Sequence, residues 1–122
     1  MTQEDKELLI KDLTARLPYG VKIELSWWVM GEWISIDTTL EADHIEELLN
    51  DEDGNTEIKP YLFPLSRMTK EQEEEYNDLN CYELGWFPHT EKALDYLIKN
   101  HFDYRGLIEK GLAIDATNLN IY

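Results

Sequence analysis

The chain has 122 residues and carries 26 acidic against 11 basic side chains, a formal net charge of −15. That length fits one domain, because two would each bury too little apolar surface. The charge argues against direct nucleic-acid binding, which needs clustered lysine and arginine, and a hydrophobic content of 43% argues against general disorder.

Thr2 with Asp5 forms a capping pattern for a first helix. Leu9, Leu13 and Leu17 stand four apart and make one apolar stripe, with Leu8 and Ile10 beside it. Pro18 ends this helix, because the residue before a proline avoids the helical region. Val21 to Trp28 alternates apolar and polar residues, as a half-buried strand does. Gly31 marks a turn, and Glu32 to Thr39 alternates again, so the two segments read as a hairpin with Trp27, Trp28 and Trp33 near its tip. Adjacent Trp27 and Trp28 point to opposite faces of a strand, so one of them leaves the core. An exposed tryptophan marks an interface unless a helix of the same domain covers it.

Leu40 to Asn50 fits a helix capped by Thr39, with a ragged strand as the alternative. The loop Asn50 to Asn55 reads NDEDGN and invites a calcium assignment. With Gly54 at the sixth position of such a loop, Leu49 falls at the first and Pro60 at the twelfth, so the ligand register fails at both ends. An acidic turn is the better reading.

Glu57 to Leu65 is a third extended segment. Pro60 and Pro64 cannot donate to a ladder, which confines this segment to a sheet edge or a polyproline-like path, and Tyr61, Leu62, Phe63 and Leu65 require burial on at least one side. Thr69 and Gln72 form a capping box that opens a polar surface helix carrying Glu71, Glu73, Glu74 and Glu75. Asn80 to Pro88 reads as an irregular connection with Cys81, Tyr82, Trp86 and Phe87. Thr90 caps the next helix, with Leu94, Leu97, Ile98 and His101 on one side. Asp103 caps a short last helix, Tyr104 to Lys110, which Gly111 terminates. Leu112 to Ile114 reads as a brief strand, and Thr117 to Tyr122 as a loose tail. The fold expected is a single α+β domain over residues 1–122. It consists of a small antiparallel sheet, made by the hairpin and the proline-broken edge strand, with an N-terminal helix and about three C-terminal helices packed on one face.

The stretches LPYGVK (Leu17 to Lys22), KPYLFPLSRMT (Lys59 to Thr69) and FDYRGLIEKGLAIDA (Phe102 to Ala116) resemble an uncharacterised family of small acidic proteins. That family recurs in gut-anaerobe genomes, their phages and mobile elements. The three stretches occur there in the same order, while the segment between Ser26 and Glu57 lies outside the resemblance. The resemblance implies a cytoplasmic protein of phage or mobile-element type and brings no activity, cofactor or catalytic residue with it.

The lone Cys81 allows no internal disulfide, and the acidic start is unlike a secretory leader, which fits a reducing, cytoplasmic setting. The longest strongly apolar run, Trp27 to Met30, is far short of a membrane span. His44, His89 and His101 lack metal spacing, Cys81 has no local mark of a nucleophile, and no phosphate-binding glycine loop or serine elbow occurs. A helix-turn-helix around Asp103 would offer DNA only Arg105 and Lys110. No cofactor or metal is therefore expected.

Residues 41–84 hold 14 acidic and 3 basic side chains, a net of −11. The charge keeps molecules apart in solution or forms a docking face for a basic partner. The leading reading is a non-enzymatic protein-interaction module, with Trp27, Trp28, Trp33, Glu71, Glu74 and Glu75 as the candidate surface and a protein with a basic face as its partner. A negatively charged nucleic-acid mimic is the second reading, and an enzyme with an unrecognised site the third.

Overall fold

The computed structural model describes residues 2–80 and 90–122. Helix α1 spans Gln3–Arg16 and begins where the Thr2 hydroxyl accepts from the Asp5 N–H at 3.0 Å. Its stripe places Leu9 and Leu13 in the core. A 3₁₀ turn, Leu17–Tyr19, follows at Pro18, and Gly20 at φ 68 reverses the chain into the sheet.

Strands β1 (Lys22–Val29) and β2 (Glu32–Thr39) form the expected hairpin, in unbroken register from Val29↔Glu32 to Lys22↔Thr39. Met30 and Gly31 both take positive φ, 50 and 83, as a tight two-residue turn between twisted strands requires. The Leu40 N–H extends the ladder to the Val21 carbonyl (2.9 Å), so Thr39 belongs to the strand and does not cap the next helix. Helix α2, Ala42–Asn50, starts after Glu41, whose N–H donates to His44 Nδ1 at 3.0 Å. It buries Ile45 and Leu48.

Strand β3, Thr56–Pro64, pairs antiparallel with β1, from Ile23↔Pro60 to Trp27↔Thr56. It also pairs parallel with two short strands, β4 (Phe102–Asp103) and β5 (Ile114–Asp115). The sheet is therefore mixed, not antiparallel, and the proline-bearing strand lies inside it, not at its edge. The prolines are tolerated because ladder bonds alternate in direction. The Trp28 N–H donates to the Asn55 carbonyl, so odd-numbered β3 residues face β1. Pro60 and Pro64 face the opposite side, where β5 pairs with Tyr61 and Leu62 alone.

Helices α3 (Lys70–Leu79) and α4 (Glu91–Lys99) follow, capped by Thr69 and Thr90 as expected. The Thr69 box is reciprocal: Gln72 N–H to Thr69 Oγ1 at 3.1 Å, Thr69 N–H to Gln72 Oε1 at 2.9 Å. The third C-terminal helix is absent, because residues 104–110 form turns. Gly106 takes φ 73 and Gly111 φ 74, which leaves room for one helical turn between them. Asp103 still caps it, accepting from the Leu107 and Ile108 N–H groups at 3.0 and 2.9 Å. The expected connection from Asn80 to Pro88, with Cys81, and also His89, lies outside the described residues apart from Asn80, which is buried at the end of α3.

The helices do not share one face. Helices α1 and α2 pack with β1 and β3 in a cluster around Leu13, Ile23, Leu48, Ile58 and Leu62. Helices α3 and α4 close a second cluster around Tyr76, Leu97 and Phe102. The tail is anchored at its last residue and is not loose. Tyr122 Oη donates to the Tyr61 carbonyl (2.8 Å) and accepts from the Lys22 N–H (2.7 Å), and its ring stacks on His101 with centroids 4.0 Å apart. No helix among the described residues is long and apolar enough to cross a membrane.

Candidate interaction surface

The hairpin divides its three-residue tryptophan set as strand alternation demands. Trp27 lies half-buried against the first cluster, and Trp28 and Trp33 are 46% and 47% exposed. These two are cross-strand partners, and their rings meet edge to face at 5.6 Å. Behind them on the same face, Ser26 and Ser35 share a hydrogen bond of 2.7 Å, and Tyr61 Oη donates to Asp37 at 2.5 Å. Burial, then the bond to Asp37, hold the Tyr61 phenol well above its ordinary pKa, so it stays a donor.

Sequence reading missed the opposite face. Ile34 and Ile36 lie across from Trp27 and Leu25, on the side that the core should cover. They are 47% and 46% exposed, because α1 and α2 reach over β1 and β3 and leave β2 uncovered. Val29 and the fully projecting Met30 complete the tip. Six of the ten exposed large apolar side chains among the described residues thus belong to one hairpin. The signal was present in the sequence, since Ile34 and Ile36 alternate with polar residues. Alternation identifies a face but not whether anything packs on it.

A shallow groove borders this face. Trp27 and Thr56 lie on one side of it, and Asp43, Glu46, Glu47 and Asn50 of α2 on the other. The carboxylates beside the hairpin are therefore those of α2. Glu71, Glu74 and Glu75 sit on α3, which packs in the second cluster, so the structure separates them from the tryptophans. Glu71 and Glu74 are exposed. Glu75 accepts from Tyr96 Oη at 3.0 Å, tying α3 to α4, and burial with this bond pushes the Tyr96 phenol up to about 12.

Six other titratable groups are tied into the fold. Asp12 is fully buried and accepts from Arg16 Nε (2.7 Å) and Arg105 Nε (3.2 Å). Arg16 Nη2 donates to the Phe102 carbonyl at 2.6 Å, which ties α1 to β4. Both arginines lie over the Tyr104 ring, at 5.9 and 4.7 Å from its centroid. His101 sits at φ 63 beneath Tyr122, and burial, with Arg16 nearby, lowers its pKa to about 4. His44 is occupied by the α2 cap. Asp51 of the acidic loop accepts from the Asn55 and Thr56 N–H groups, both at 3.1 Å, so the loop closes on itself as an acidic turn. Among the described residues no group of three histidine, cysteine or acidic side chains is placed to hold a metal.

No protein-family model matches the chain, and no curated protein or solved structure matches it either.

Proposed function

We infer that the protein is a non-enzymatic interaction module that engages a basic protein partner through the β1–β2 hairpin. The observation that carries this is the concentration of exposed apolar side chains on one hairpin, beside the carboxylates of α2. Interfaces place aromatic and aliphatic anchors at the centre and charge at the rim, and Ile34 and Ile36 have that relation to Asp43, Glu46 and Glu47, while Trp28 and Trp33 are exposed on the other face of the same hairpin. A nucleic-acid mimic would set carboxylates at the centre instead, so the apolar strand favours protein docking over mimicry. The cytoplasmic, phage or mobile-element setting belongs to the same proposal and rests on the resemblance of the three sequence stretches.

The test is capture of a host protein by three forms of the chain. Wild type and a Glu71→Gln, Glu74→Gln, Glu75→Gln variant should retain the same partner, and a Trp33→Ala, Ile36→Ala variant should lose it. Loss in the glutamine variant with retention in the hairpin variant would move the surface to α3 and refute this reading.

A further inference from the structure

Resting on that reading, we propose that the partner binds by strand addition: an extended segment bearing lysine or arginine pairs with the free edge of β2 and continues the sheet. The two-residue turn and the Leu40-to-Val21 bond fix which β2 residues face β1. Glu32, Ile34, Ile36 and Thr38 do. Trp33, Ser35, Asp37 and Thr39 therefore turn their N–H and C=O groups outward, and no strand among the described residues pairs with them.

Open edges of this length are normally blunted by a lysine, a proline, a bulge or a covering element. Among the described residues β2 has none of these, and the charges it does carry, Glu32 and Asp37, are acidic and repel only a strand of like sign. Its sequence, EWISIDTT, contains no cation and no proline, and its register with β1 runs unbroken over eight pairs. Apolar side chains flank the edge on both faces, Trp33 on one and Ile34 and Ile36 on the other, so a strand laid alongside finds apolar neighbours at these three positions.

Charge selects the occupant. Glu32 and Asp37 lie in the strand itself, and Asp43, Glu46 and Glu47 wall the adjoining groove. A second copy of β2 would bring the same signs together, on molecules that each carry −15. A basic segment pairs with them instead.

The probe is a blocked peptide of alternating lysine and valine, compared with a glutamate–valine peptide and with a lysine–valine peptide N-methylated at every backbone nitrogen, which leaves neither of its edges able to pair. The readout is amide exchange and chemical shift of the whole chain by NMR. The lysine peptide should slow exchange at Trp33, Ser35, Asp37 and Thr39 by about tenfold or more, and added salt should weaken it. The other two peptides should leave those amides unprotected. Hairpin shifts from the lysine peptide without protection of the four amides, or equal binding of the N-methylated peptide, overturns strand addition while the docking surface stands. No hairpin shift at any peptide concentration overturns it too, whereas failure of the docking surface itself is read from the capture experiment above. Protection that appears without peptide and grows with protein concentration overturns it by assigning the edge to a second copy.

Discussion

Removing the Asp12 carboxylate should be among the most damaging single changes to this fold. Asp12 and Arg16 both have side chains with no solvent exposure, and Arg105, at 17%, shares the same carboxylate. Arg16 Nη1 has no hydrogen-bond partner among the described residues, so Asp12 supplies most of what offsets burial of that charge there. In Asp12→Ala, Arg16 keeps only the Phe102 carbonyl among its present hydrogen bonds. Breaking a buried ion pair by deleting one member costs about 3–5 kcal/mol, a large part of the ~5–15 kcal/mol that holds a domain of ordinary stability. Urea denaturation is the assay. With a slope of about 2 kcal/mol per molar, the midpoint should fall by roughly 2 M. Asp12→Leu combined with Arg16→Met should recover much of the loss, because the uncompensated charge leaves with its partner. A midpoint within about 0.5 M of wild type for Asp12→Ala, roughly 1 kcal/mol on that slope, would refute the view that this carboxylate organises the junction of α1 with β4.

Thr69→Ala removes a two-way cap and should cost about 1 kcal/mol, read from denaturant midpoints. Leu62→Ala, at a position with no exposure between β1 and the turn around Leu107, should cost about 2–5 kcal/mol by the same assay. His101 has a folded pKa near 4, below its ordinary 6.5, so its neutral form stabilises the fold. That contribution is complete above pH 6.5 and is lost as pH falls towards 4. The full shift corresponds to about 3 kcal/mol, which partial solvent access to the ring reduces to about 1–2 kcal/mol. His101→Asn, which tolerates the positive φ, should flatten the pH dependence in this window.

Local signals in the sequence predicted local structure well. The Thr2, Thr69 and Thr90 caps, the leucine stripe of α1 and the alternating hairpin all depend on neighbours within a few residues. Non-local pairing was not legible. Two prolines placed β3 at an edge, but a ladder needs a donor only on alternate residues, and Pro60 and Pro64 both fall on the side that β1 does not use. The parallel partners β4 and β5 are two residues each, too short to show a period. The final helix failed because Gly106, inside its expected span, adopts left-handed backbone, which composition alone does not specify, whereas Gly111 takes the positive φ expected of a terminator. For the surface, strand alternation required one of Trp27 and Trp28 to leave the core, and Trp28 does, whereas the exposure of Trp33 and the bare Ile34–Ile36 face depends on how far α1 and α2 extend across the sheet. The α3 glutamates drew attention through their density, yet the carboxylates beside the hairpin are those of α2, separated from it in sequence by the turn at Leu40 and Glu41.

The central claim is that the hairpin, and not the acidic α3 helix, is where a partner docks. Site-specific photo-cross-linking tests it most directly, with a photoreactive residue placed at Met30, which is 99% exposed, or at Glu74 on α3. Both positions are exposed, so a probe there displaces no buried side chain. The account predicts a cross-linked partner from position 30 and none from position 74. A partner cross-linked from position 74 and absent from position 30 would contradict it.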